Sequence, residues 1–414
     1  MSDGIDARPE RGGGEAGPRV LQVLPALGEG GAERDTLDLA RCLIAHGWTP
    51  LVASSGGRGE SELRDLGIAT FRLPLQAKNP LVIRANIGRL QRLAQEQGAQ
   101  LIHAHSRAAA WSSRYAARRC GIPFVTTFHG VYRGSTGFLK RRYNGIMARG
   151  DRVIAVSEHV AAHIRERYGV AADRLRVIPR GIDLDAFAAE AIARERIDAL
   201  ARRWHVPKDR PGGVKVVMLP GRITRIKGHL LLLQAIEQMS RRNFVCLLVG
   251  HPGRESSYGR EVERQIEARG LSKVVRLVGG CSDMPAALSL ADVVVVPSIG
   301  PEAFGRVSIE AQALGKPVVA TDIGGLGETL MPAATGWLVP PDNPQELARA
   351  IELALAMPDD ARARLADRAR RLVQRRFSVE RMAQSTMTVY RELLGAQAPA
   401  ADVPARVPAT PPAD

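Results

Sequence analysis

Short β-branched runs alternate with helix-period stretches along most of this chain, and the alternation starts over once. Val20-Leu21-Gln22-Val23-Leu24 reads as a strand, and Glu33 to Ala45 follows with Leu37, Ala40, Leu43 and Ile44 at helical spacing. Strand-like runs recur at Pro50–Ala53, Leu101-Ile102, Phe124–Thr127 and Val153–Val156. Such runs are buried most readily in a parallel sheet covered by helices on both faces. The pattern breaks at Val206-Pro207-Lys208-Asp209-Arg210-Pro211-Gly212-Gly213, a linker by composition, and resumes with Val214–Met218, Phe244–Val249, Val274–Val278, Val293–Val296 and Val318–Ala320.

The expected fold class is therefore α/β, with two Rossmann-like parallel-sheet domains. A disordered tail is expected at 1–17, the first domain at 18–205, the linker at 206–213 and the second domain at 214–376. A helix at 377–394 is available to pack back on the first domain, and the Ala/Pro-rich 395–414 reads as a second disordered tail. In open α/β sheets ligands sit at the carboxyl ends of the strands. Two such domains imply an interdomain cleft between two sets of strand-end loops, so residues just after strands are the ones to inspect.

Composition narrows the class. The 414 residues are 45% apolar and 24% charged, as in globular proteins, and no apolar run reaches the eighteen or so residues of a membrane span. Met1 to Pro18 is rich in Gly and charge, unlike a secretory signal, so the cytoplasm is the expected location. Cys42, Cys120, Cys246 and Cys281 show no short pair spacing, which argues against a zinc ribbon or redox pair. The formal charge is +15, and Arg84 to Arg149 holds twelve Lys/Arg against one acid, Glu96. That imbalance points to an anionic acceptor or an anionic membrane surface met peripherally. In Phe138-Leu139-Lys140-Arg141-Arg142-Tyr143 apolar residues interleave with cations, which suits a membrane surface. Aromatic residues make up 4%, leaving few platforms for stacking bases, so no nucleic-acid partner is expected.

The strongest chemical signal follows the run Val293–Val296. After Pro297-Ser298 comes Pro301-Glu302-Ala303-Phe304-Gly305-Arg306-Val307-Ser308-Ile309-Glu310. Gly305 opens a helix whose first amides are unpaired donors, a ready site for a diphosphate. Carboxylates repel phosphate, so Glu302 and Glu310 suit the neutral hydroxyls of a sugar and a ribose. Read alone, the two acids also fit solvated residues favoured by the helix dipole. A second motif, Leu219-Pro220-Gly221-Arg222-Ile223-Thr224-Arg225-Ile226-Lys227-Gly228, again follows a strand and gathers three cations suited to a diphosphate leaving group. It is not a P-loop. In the first domain, Gly28-Glu29-Gly30-Gly31-Ala32-Glu33 has Glu where the dinucleotide fingerprint has its third glycine, so NAD is not expected. His103, His105 and His129 lie at strand ends, but no third ligand accompanies the His-Ala-His pair, so no metal is expected. Asp183-Leu184-Asp185 is read as a structural turn rather than a cation site.

Taken together these residues resemble the group 1 (family 4) glycosyltransferases of the GT-B fold. The carriers are Gly30-Gly31-Ala32-Glu33, Ile102-His103-Ala104-His105-Ser106, Thr127-Phe128-His129-Gly130 and Val177-Ile178-Pro179-Arg180-Gly181-Ile182-Asp183. To these add Gly221-Arg222 with Lys227-Gly228 and, above all, Glu302 and Glu310 around Phe304-Gly305. The resemblance runs from Val20 to about Leu394. It implies a retaining, metal-independent transfer from a nucleotide-sugar donor (a UDP- or GDP-sugar), with no cofactor. It further implies that Arg222 and Lys227 contact the donor diphosphate and that Glu302 binds donor-sugar hydroxyls with the backbone at Phe304 and Gly305. Glu310 would hold the ribose, Gly31 would lie where donor phosphate and acceptor meet, and His129 would contact the transferred sugar. Arg180 stands where many members have Asn, and Arg306 where an aliphatic residue is common. With the basic first domain, the implied setting is lipopolysaccharide or other cell-envelope glycan assembly on a glycan or lipid-linked acceptor. The alternatives are a nucleotide-sugar epimerase or phosphorylase on the same fold, or a non-enzymatic binder of anionic membranes.

Overall fold

The structure is a computed structural model, and it describes residues 17–28, 30–132, 138–207, 213–240, 243–251 and 256–395. The tails expected at 1–17 and 395–414 lie outside these but for Gly17 and Gly395, as does most of the linker at 206–213. The side chains of Phe138 and Leu139 are likewise outside the description.

The chain forms two compact units. Among the described residues, one takes in those up to Ala155, Ile164–Ile178 and Ala383–Gly395; the other takes in Val156–His163 and Pro179–Met382. The first holds strands β1 (Arg19–Val23), β2 (Thr49–Ser54), β3 (Ala69–Arg72), β4 (Leu101–Ala104), β5 (Phe124–Phe128), β6 (Arg152–Ala155) and β7 (Leu175–Val177). They form one seven-stranded sheet in the order β3-β2-β1-β4-β5-β6-β7. The second unit holds β8 (Lys215–Pro220), β9 (Phe244–Val249), β10 (Val275–Gly279), β11 (Val293–Val296), β12 (Val318–Thr321) and β13 (Gly336–Val339), in the order β10-β9-β8-β11-β12-β13. Every strand pair is parallel. In each sheet the order reverses beside its first strand, between β1 and β4 and between β8 and β11, which is where a crevice opens in doubly wound sheets.

The central strands are the apolar runs of the sequence, because a parallel strand covered on both faces has no polar side. In the second unit Val217, Leu219, Cys246, Leu248, Val293 and Val295 share one core with Leu232 and Ile236 of helix His229–Gln238 and with Leu347 and Ile351 of helix Pro344–Leu355. In the first unit Leu24, Leu27, Leu37, Ala40, Val52, Leu63 and Ile68 form such a core. Three strands that the apolar pattern does not reveal, β3, β7 and β13, all lie at sheet edges. An edge strand pairs on one side only and keeps part of its surface in water. Ala69–Arg72, with two exposed and two half-buried residues, therefore carries no apolar run.

The last helix, Val379–Leu394, ends against the first sheet's own residues. The Tyr390 hydroxyl meets His103 Nδ1 at 2.7 Å, and its ring lies 5.7 Å from that of Trp48. Glu392 accepts from Arg152 Nε and Arg176 Nη2, both at 2.8 Å. Among the described residues no helix is long and apolar enough to cross a membrane.

Candidate functional site

In the second unit the loops after β8 and β11 meet backbone to backbone. Gly228 has φ +72°, and a Cβ there would lie 1.7 Å from the Pro297 carbonyl oxygen, so only glycine lets the two loops approach. Lys227 sits in the short 3-10 turn Arg225–Lys227 that Gly228 closes. Its Nζ donates to Glu302 Oε1 at 2.7 Å, with the two side chains 22% and 14% exposed. The Ser298 hydroxyl donates to the same oxygen. The Ser298 carbonyl in turn accepts from Thr321 Oγ1 at 2.7 Å, tying this loop to the end of β12. The Glu302 carbonyl accepts from the Gly325 amide at 2.8 Å. Glu302 is thus fixed at both ends, main chain and carboxylate. Arg222 is exposed and makes no ion pair with another described residue, so of these two cations it is the one open to an incoming anion.

Phe304 is buried, edge-on to Phe377 at 5.6 Å, so it offers a ligand its backbone and not its ring. Gly305, at φ +102°, starts helix Arg306–Ala313, and no side chain caps that start. Glu310 is buried in the helix and accepts from Arg306 Nε at 2.9 Å. The structure thus brings Lys227, Glu302 and Gly305 onto connected loops after β8 and β11, with Glu310 in the helix that Gly305 starts. Ser298 escaped the sequence reading because a serine after a strand carries no pattern; only the fold aims its hydroxyl at Glu302.

In the first unit Gly31 is the first residue of helix Gly31–Ala45. His129 follows β5 and is 11% exposed. Its Nδ1 faces Asp35 Oδ2 at 3.4 Å, and its Nε2 lies 3.1 Å from His105 Nδ1. His103 uses both ring nitrogens, on Tyr390 and on Thr127 Oγ1, each at 2.7 Å. Burial, with His129 nearby, pushes His103 down to about 3, and burial beside His103 and His129 pushes His105 well below the usual histidine range. Both rings are therefore neutral at pH 7. Asp35 and Tyr390 lie in helices that the periodicity marks, but nothing in the spacing shows that they face histidines at strand ends far away in the chain. Asp183 Oδ1 accepts from the amides of Asp185 and Ala186 at 3.1 and 3.2 Å, the self-capped turn that the Asp-Leu-Asp run suggested.

The basic stretch also gains a shape. Trp111 stacks with Tyr115 at 6.2 Å and with Tyr143 at 6.3 Å. Arg114 lies beside this row, its guanidinium 5.9 Å from the Tyr115 ring centre. Its pKa is lowered first by desolvation and then by the like charges of Arg149 and Arg118. A cluster of mutually repelling guanidinium groups favours an anion.

Residues 29–186 match the Glycosyltransferase Family 4 family, and residues 201–372 match Glycosyl transferases group 1. A D-inositol 3-phosphate glycosyltransferase from Xylanimonas cellulosilytica is 30% identical, over 92% of this chain and 98% of its own. A glycosyltransferase crystal structure from Rickettsia africae is 35% identical, with a TM-score of 0.84, covering 92% of this chain and 99% of that one. The Anabaena Alr3699/HepE structure in complex with UDP-glucose is 25% identical, with a TM-score of 0.78, covering 91% of this chain and all of that one.

Proposed function

The chain belongs to the group 1 glycosyltransferases of the GT-B fold, and from that premise we propose that it moves a sugar from a UDP- or GDP-sugar onto a hydroxyl of an anionic, lipid-linked glycan acceptor. The carrying observation is the junction of Lys227, Ser298 and Glu302 beside the start of the helix that bears Glu310. In this reading Arg222 and Lys227 take the diphosphate and neutralise the charge that grows on the leaving nucleotide. Glu302 leaves Lys227 to bind donor-sugar hydroxyls, together with the amides at Phe304 and Gly305. Glu310 holds the ribose, Gly31 lies where donor phosphate and acceptor meet, and His129 contacts the transferred sugar. Transfer proceeds with retention and without a metal or cofactor.

The acceptor belongs to lipopolysaccharide or other cell-envelope glycan assembly. Its negative charge is supported by the Arg114, Arg118 and Arg149 cluster and by a relative named for a phosphorylated inositol. The enzyme works in the cytoplasm, peripherally on the anionic inner face of the membrane through the Arg84–Arg149 stretch.

Calorimetric titration with UDP- and GDP-sugars tests the donor. Arg222→Ala should cut turnover and Glu310→Ala should weaken donor binding; wild-type behaviour in both variants sinks the site assignment. Undiminished activity in EDTA, and a product with the donor's anomeric configuration, test the metal-independent, retaining course. Sedimentation with anionic vesicles should fall as salt rises. Donor consumption with no acceptor present would instead favour an epimerase or phosphorylase.

A further inference from the structure

Arg306 is a cation at a helix start, where the macrodipole favours an anion. The first turn holds no acid, and no side chain caps Gly305. The guanidinium reaches one turn along the helix and donates through Nε to Glu310 Oε1 at 2.9 Å. The pair is largely withdrawn from water, with side chains 19% and 11% exposed. The helix is locked on another stripe. Gln312 Nε2 donates to the carbonyls of Ser308 at 3.1 Å and Thr329 at 2.7 Å, and the hydroxyls of Ser308 and Thr329 lie 3.0 Å apart. So the stripe that bears Arg306 and Glu310 is held in one orientation, with Glu310 Oε1 taken by Arg306.

A carboxylate this deeply placed needs a charged partner, and the pair is not the weak, solvent-screened kind found between exposed side chains one helical turn apart. We infer that Arg306 is a positioning residue for nucleotide recognition, bracing the Glu310 carboxylate so that the ribose hydroxyls of a nucleoside diphosphate meet a fixed acceptor. This rests on the ribose role proposed for Glu310. A direct contact of Arg306 with the diphosphate is the competing outcome.

The test titrates wild type, R306M, E310Q and the double variant with UDP and GDP and with their 2′,3′-dideoxy forms, on the full chain, with melting curves alongside. For the diphosphate that wild type binds, R306M should lose about tenfold in affinity, the scale of one hydrogen bond to a charged group. It should bind the dideoxy form as wild type does, and the double variant should be no weaker than E310Q. Equal losses for both forms overturn the inference in favour of a phosphate contact, and no loss at all overturns it in favour of a surface charge. R306Q repeats the measurement should R306M melt early. If E310Q binds both forms like wild type, the ribose role of Glu310 itself falls; if E310Q weakens and R306M does not, only the bracing role does.

Discussion

Mild acid should loosen the first unit well before its carboxylates titrate. His103 and His105 are buried, with His103 pushed down to about 3 and His105 lowered well below its usual range. The folded state therefore keeps both rings neutral at pH 5.5, while the unfolded chain protonates them near 6.5. Lowering the pH then favours unfolding, with a slope of about 1.4 kcal/mol per pH unit for each ring. From pH 7 to 5.5 each ring loses about 1.3 kcal/mol of stability, so the pair loses about 2.5 kcal/mol. Glu60 and Glu392, both lowered by pairing with arginine, contribute stability that is still present in this window and is lost only below the ordinary carboxylate range.

The assay is hydrogen exchange of the amides in β1, β4 and β5 at the two pH values, corrected for intrinsic exchange. In the second unit His229, pushed down to about 4 by burial, adds one such ring, so β8 and β9 should lose about half as much. His103→Gln keeps a polar, uncharged partner for Tyr390 and Thr127 and should halve the loss in the first unit. Unchanged protection of β4 between the two pH values, or a wild-type loss in His103→Gln, would refute the reasoning.

Three further outcomes follow from the same contacts. Tyr390→Phe leaves a buried ring nitrogen of His103 without its partner and should lower the stability of the first unit by about 1–3 kcal/mol, read from urea unfolding followed by Trp48 fluorescence. Gly228→Ala places a methyl group on the Pro297 carbonyl at a positive φ, so it should cost more than about 1 kcal/mol and abolish donor binding, checked by melting and titration. Glu392→Ala removes a partly exposed carboxylate from Arg152 and Arg176 and should cost about 1 kcal/mol or less, with the loss shrinking in high salt.

Much of the candidate site was legible before any fold was known. Lys227, Glu302 and Glu310 each follow an apolar run, and strand-end loops are where such folds bind ligands. What the sequence could not show was how those residues meet. It assigned Lys227 to a diphosphate and Glu302 to hydroxyls, and the structure adds that the two are bonded to each other. It marked Arg306 as a departure, and the structure turns that departure into a partner for Glu310.

The sequence by itself determined the central strands, the final helix at Val379–Leu394 and the two-unit α/β plan, because periodicity and burial are local properties that neighbouring residues express together. Only the tertiary structure decided three of the four edge strands, β3, β7 and β13, whose short, partly exposed runs carry too little of such a signal. It alone also decided the contacts between distant segments, such as His103 with Tyr390 across 287 residues or Lys227 with Glu302 across 75. Those pairings depend on which strand lies beside which, and the spacing of residues along a chain does not record it.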